Sequence, residues 1–149
     1  MSWRKYCDKD AWHEASNLFP MLPEDDAVEL ARDIAAHGLQ NPIILFEDKV
    51  LDGRNRLLAC KAANVAPHFK QWHPNGASPV AFVITQNLRR RHLNASQRAA
   101  ITVKALPLFV AEAKHRQRHH GGTAPGKSKN KNTSRIIAGS ESKGALPAA

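Results

Sequence analysis

Residues 49–65, KVLDGRNRLLACKAANV, decide the fold of this chain. A short β-forming run over 49–52 ends at Gly53. From about Asn55 to Asn64 the residues Leu57, Leu58, Cys60, Ala62 and Ala63 carry helical character, with Val65 and Pro67 as the exit. A strand that feeds a helix through a glycine leaves unpaired backbone N–H groups at the turn, and these groups together with the helix dipole favour an anion. Arg54 and Arg56 flank Asn55 in that first turn, where two cations oppose the dipole unless a phosphate or a carboxylate stands beside them. Two readings follow from the residues alone. Either Gly53, Arg54, Asn55 and Arg56 hold a phosphate, or one arginine pairs with a local acid such as Asp52 while the other is solvated. The turn matches neither G-x-G-x-x-G nor the P-loop pattern.

Working outward, PIILF supplies a β-branched run at 43–46, and Glu47-Asp48 forms a turn into 49–52, which predicts a hairpin. Upstream, LPEDDAVELARDIAAHGLQNP has apolar residues at helical spacing, acids in the first turn and Gly38 as a stop, so a helix covers 24–37. Downstream, HFKQW at 68–72 suggests a further strand. Ser78-Pro79 has the form of an N-cap followed by a first-turn proline and predicts a helix through 80–88, with a strand as rival because Val80, Phe82, Val83 and Ile84 are β-formers. Asn94 with Gln97 three residues later opens another helix, which Pro107 should kink or stop. These elements imply an α/β (α+β) fold: an N-terminal extension over 1–12, one domain over 13–93 with a small sheet flanked by helices, a helical extension over 94–115, and a flexible basic tail over 116–149.

The formal charge of +9 is unevenly placed. Residues 1–88 hold 9 Lys/Arg and 11 Asp/Glu, whereas 89–149 hold 13 Lys/Arg and 2 acids. The tail thus asks for an anionic partner, and Lys114, Arg116, Arg118, Lys127, Lys129, Lys131 and Arg135 are the expected sequence-independent DNA contacts. Within VITQNLRRRHLN, Gln86 and Asn87 can hydrogen-bond a base, sugar or phosphate, and Arg89, Arg90 and Arg91 form a cationic run. No metal site is expected, since Cys7 and Cys60 form no ligand pattern and the histidines of HRQRHH lack carboxylate or thiol neighbours. No stretch is apolar enough to span a bilayer and the start lacks a signal-peptide h-region, so a cytoplasmic location without a membrane partner is expected.

The order HGLQNPIIL, then KVLDGRNRLLACKAANV, then VITQNLRRRHLNASQRA resembles the N-terminal domain of the ParB family, within the ParB/sulfiredoxin-like superfamily, over about residues 13–104. The family box G-E-R-R-x-R-A falls on Gly53 to Ala59 and keeps Gly53, Arg56 and Ala59. The box E-N-x-Q-R-x-D-L falls on Gln86 to Leu93 and keeps Asn87, Arg90 and Leu93. The resemblance implies a DNA-maintenance or regulatory protein of the partition type in which both boxes converge on a nucleotide pocket formed by Gly53, Arg54, Asn55, Arg56, Gln86, Asn87, Arg89 and Arg90. CTP is the implied nucleotide. Gln86 stands where the family places an acid that helps to hold magnesium, so weak or absent CTPase activity and little dependence of nucleotide binding on Mg2+ are expected. A homodimer is one expected partner state. The alternatives are an active CTPase or other phosphate-transfer enzyme, and a nucleic-acid-binding module without a nucleotide site. Sulfiredoxin chemistry is not expected, because Arg54 takes the place of the reactive cysteine. The polar end of the chain is too short for the helix-turn-helix that longer relatives carry, so truncation before the DNA reader is expected.

Overall fold

The structure, a computed structural model, describes residues 2–90 and 93–120. Three 3-10 turns, Trp3–Cys7, Lys9–Ala11 and Glu14–Leu18, lead into helix α1, Glu24–His37. Strands β1, Ile43–Phe46, and β2, Lys49–Asp52, follow, then α2, Arg54–Ala63, and β3, Phe69–Gln71. Two further helices, α3, Pro79–Arg90, and α4, Ala95–His120, give the described residues an α+β architecture of four helices and one small mixed sheet.

The sheet order is β2-β1-β3, with β1 and β2 antiparallel and β1 and β3 parallel. Glu47 and Asp48 make the hairpin turn with φ of 49° and 57°, the left-handed pair that matches the twist of a two-residue hairpin. An irregularity between Ile44 and Leu45 shifts the register, so that Ile44 faces Asp52 while Leu45 faces Val50. A parallel partner for β1 needs a crossover, and α2 supplies it.

Strand β2 is apolar on both sides because the sheet is covered on both faces. Val50 packs in a cluster with Trp12, Ile43, Leu45 and Leu57, whereas Leu51 joins Phe19, Val80, Val83, Ile101 and Ala105. Helix α1 closes on α2 through Ile34, Ala59 and Cys60. The stretch over 80–88 is helical, so the strand alternative fails: Ser78 Oγ accepts from Ala81 N, and Val80 and Val83 bury one side of α3 against the sheet. Asn94 and Gln97 form a reciprocal capping box, with bonds of 2.8 Å and 3.0 Å.

Three expectations change. Pro107 does not stop α4, which continues to His120. An interior proline removes one backbone bond, yet here Ile101 and Ala105 before it and Leu108, Phe109 and Glu112 beyond it all engage the body of the domain, and that packing holds the helix together. Residues 116–120 are consequently helical rather than part of a flexible tail. The extension is not separate from the domain: within residues 2–12, Cys7 and Trp12 are buried in its core, and Trp12 bridges to Val50 in parallel register.

Candidate functional site

Gly53 occupies the junction of β2 and α2 with φ of 104° and ψ of 21°, a conformation that residues with a Cβ rarely adopt. A Cβ there would lie 3.0 Å from Arg56 Nη2 and 3.1 Å from Ile43 Cδ1. The glycine therefore sets both the backbone turn and the room in which the Arg56 guanidinium lies.

The two arginines have parted ways. Successive helical residues turn by about 100°, so positions two apart point to nearly opposite sides. Arg54 is buried: its Nη1 donates to Asn17 Oδ1 and its Nη2 to the carbonyl of Phe19, both at 2.7 Å, and its guanidinium lies 5.1 Å from the Trp12 ring. It holds the N-terminal segment against the turn. Arg56 Nη2 donates to Asp52 Oδ2 at 2.9 Å. The pairing of one arginine with Asp52 is thus present, but the other arginine is enclosed by protein rather than solvated.

Asp52 joins the two sequence boxes. Its Oδ1 accepts from Asn87 Nδ2 of α3 at 3.1 Å, and the same amide nitrogen donates to the carbonyl of Val83 at 2.9 Å. Asn55 Oδ1 accepts from the backbone N–H of Leu22, which fixes the loop before α1 over the same turn. Ser16, Leu22, Asp52, Gly53, Arg56 and Asn87 are among the residues around a cleft of about 270 Å³. A second cleft of about 230 Å³ is lined by Lys70, Trp72, Phe82 and Gln86, and by Asp52 and Arg56 again. The Asp52–Arg56 pair therefore stands as a wall between two small clefts. Among the described residues, Asp52 is the one carboxylate lining either of them.

Of the expected nucleotide-site residues, Gly53, Arg54, Asn55, Arg56 and Asn87 line the first cleft, and Gln86 lines the second. Arg89 is exposed on α3 and lines neither. The side chain of Arg90 lies outside the described residues. Asp52, the acid expected beside one of the arginines, belongs to the site, and so does Ser16, which no sequence signal indicates. The offset of two between Arg54 and Arg56 already signals that one anion cannot take both, while the contributions of Ser16 and Leu22 have no local signal.

Of the expected DNA contacts, Lys114, Arg116 and Arg118 are exposed on the last turns of α4. Lys127, Lys129, Lys131 and Arg135 lie outside the described residues. No cluster of three metal-ligating side chains occurs among the described residues. Both cysteines are buried and free, and burial raises their thiol pKa values, which opposes thiolate chemistry of the sulfiredoxin type. No described helix is long and apolar enough to cross a membrane. Comparison of the chain with protein-family models, curated protein sequences and solved structures found no match.

Proposed function

We propose that the chain is a ParB-like DNA-maintenance or regulatory protein that binds the phosphate groups of a nucleotide, with CTP the nucleotide implied by its sequence boxes, at the β2–α2 turn and touches DNA without sequence preference through its basic C-terminal region. The observation that carries this reading is the junction of the two boxes at one carboxylate: Asp52 receives Arg56 from the first and Asn87 from the second, beside a helix N-terminus. Backbone N–H groups of the first turn of α2 and the Arg56 guanidinium are the donors that would hold phosphate oxygens, joined by the Asn87 amide once its N–H is released from Asp52.

The dimensions refine the proposal. Each cleft is smaller than the roughly 300–1,000 Å³ usual for small-molecule sites. A whole nucleotide has to occupy both, and to do so it must displace Arg56 from Asp52. Phosphate then replaces the carboxylate as the arginine's partner, and Asp52 becomes the acid on offer to a magnesium ion in place of Gln86. Gln86 itself is an amide and a poor ligand for a hard cation, so turnover is weak.

Calorimetric titration with CTP, in the presence and absence of Mg2+, tests the reading. Arg56→Ala should weaken binding by about 1.5–3 kcal/mol, the range for a hydrogen bond to a charged group. Unchanged affinity in a folded variant removes Arg56 from the site, and fast magnesium-dependent hydrolysis by the unaltered chain refutes the assignment of weak turnover.

A further inference from the structure

Helix α4 has two apolar faces, and the domain uses only one. Ile101, Ala105 and Glu112 turn inward, the last accepting from Ser78 Oγ and from the backbone N–H of Val80. On the opposite side Val103, Leu106 and Val110, spaced i, i+3, i+7, are 67%, 55% and 51% exposed. Among the described residues nothing covers this stripe. It is continued by Lys114 and Arg118 and edged by Lys104, all exposed. Over its length α4 carries five Lys/Arg and the single acid Glu112, which is occupied at the start of α3.

The domain also has an apolar groove that no described residue fills. It runs between α1 and α2, has a volume of about 650 Å³, and is floored by small side chains such as Ala27, Ala31, Ala35, Ala59 and Ala62. Val28 rises from it 44% exposed. Alanine floors admit the close approach of a helix that presents larger knobs, as in helix-in-groove recognition. Helix α1 carries five acids and one arginine, the reverse of α4; the groove lining itself holds Glu24 and that arginine, Arg32, so the acidic excess lies along the rest of the helix. No ion pair to Glu24, Asp25, Asp26 or Glu29 exists among the described residues.

We propose that the Val103–Leu106–Val110 face of α4 docks into the α1–α2 groove of a second copy of this chain, head to tail. Apolar knobs meet an apolar floor, and the basic helix meets the acidic one. Pairing of α4 with α4, or of groove with groove, would set like charges together, so charge selects the heterologous arrangement. A head-to-tail contact leaves a free groove at one end and a free α4 at the other, and it therefore extends into chains unless the rotation closes a ring. Three exposed apolar side chains place the contact at the small end of specific interfaces, below about 1,200 Å² in total, so association belongs in the micromolar range.

Sedimentation velocity of the full chain from about 5 to 200 µM tests this, a span that brackets micromolar dissociation constants. Leu106→Asp disables the helix face and Val28→Lys disables the groove, each at an exposed position. Val103→Asp and Ala35→Lys repeat the two lesions independently, and circular dichroism checks that every variant folds. The unaltered chain should grow in mass with concentration, each variant alone should remain monomeric, and an equimolar mixture of one helix variant with one groove variant should recover a complex. Three results overturn the proposal: a monomeric unaltered chain, a folded single variant that associates as well as the unaltered chain, or a mixture that stays monomeric.

Discussion

Replacing Asp52 by Asn should move stability and anion affinity in opposite directions. The Asp52 side chain is 10% exposed and that of Arg56 16%, and the two are joined at 2.9 Å. Removing one charge of a fully buried pair costs about 3–5 kcal/mol, because the other is left uncompensated. Residual solvent access to Arg56 and the acceptor oxygen that Asn retains reduce this to about 2–3 kcal/mol. For a domain of this size the loss corresponds to a fall in Tm of about 5–15 °C. The same substitution removes the carboxylate that competes with phosphate for Arg56. Inorganic phosphate, which stabilises by RT ln(1 + [L]/Kd), should then raise the Tm of Asp52→Asn by more than that of the unaltered chain. Thermal melts followed by circular dichroism over a phosphate series read both effects. In the cycle with Arg56→Met, the double variant should be less destabilised than the sum of the single ones. An Asp52→Asn variant with unchanged Tm, or one whose response to phosphate is no larger, refutes the view that this pair guards the anion site.

Further outcomes follow from other contacts. Gly53→Ala forces a Cβ into the left-handed turn and against Arg56, so denaturant titration should show a loss of about 1–3 kcal/mol, and Arg56 should shift from Asp52 in a crystal structure of the variant. Burial lowers the pKa of His13, whose Nδ1 accepts from Ala15 N. A base with a depressed folded pKa leaves the unfolded state binding more protons, so its contribution is intact above the ordinary histidine value of about 6.5 and is lost as pH falls through the folded value. His13→Asn, which keeps an acceptor but does not titrate, should flatten that part of the stability profile. DNA binding should weaken with salt at a slope of log K on log salt near −4 to −5 if about five of the seven expected cations contact phosphates, and chains ending at residue 120, which keep only Lys114, Arg116 and Arg118, should show a slope near −3.

The elements legible in the sequence are those whose signals are local. Acids and a glycine stop bound α1, the paired β-runs about Glu47-Asp48 give the hairpin, and Asn94 with Gln97 opens α4. The 3-10 turns before α1 are illegible because stretches of three to five residues are too short to show an amphipathic period, and the reason Trp12 is buried lies in Val50 and Arg54, far along the chain. Pro107 misleads for a related reason: propensity is a property of the residue, whereas the continuity of α4 is decided by packing on both sides of it. At the site, Gly53 and Arg56 are evident from the strand-to-helix transition. The role of Arg54 is not, since its acceptors, Asn17 and Phe19, come from a segment without a recognisable pattern.

The clasp between Arg54 and the N-terminal segment has a consequence for how the chain comes to be folded. Its hydrogen bonds span 35 and 37 residues, and Arg4 reaches Asn64 across 60. Closing a loop of about 35 residues costs about 3 kcal/mol in chain entropy beyond a constant, so these contacts form only once β2 and the start of α2 are available to reward them. During synthesis the first twenty residues emerge long before Arg54 and have no docking surface. Trp3, Tyr6, Trp12 and Phe19 are left wet in that interval, although Trp12 and Phe19 are buried in the finished domain. The hairpin, being local, needs no such closure, whereas the segment before α1 cannot be fastened until Arg54 has emerged.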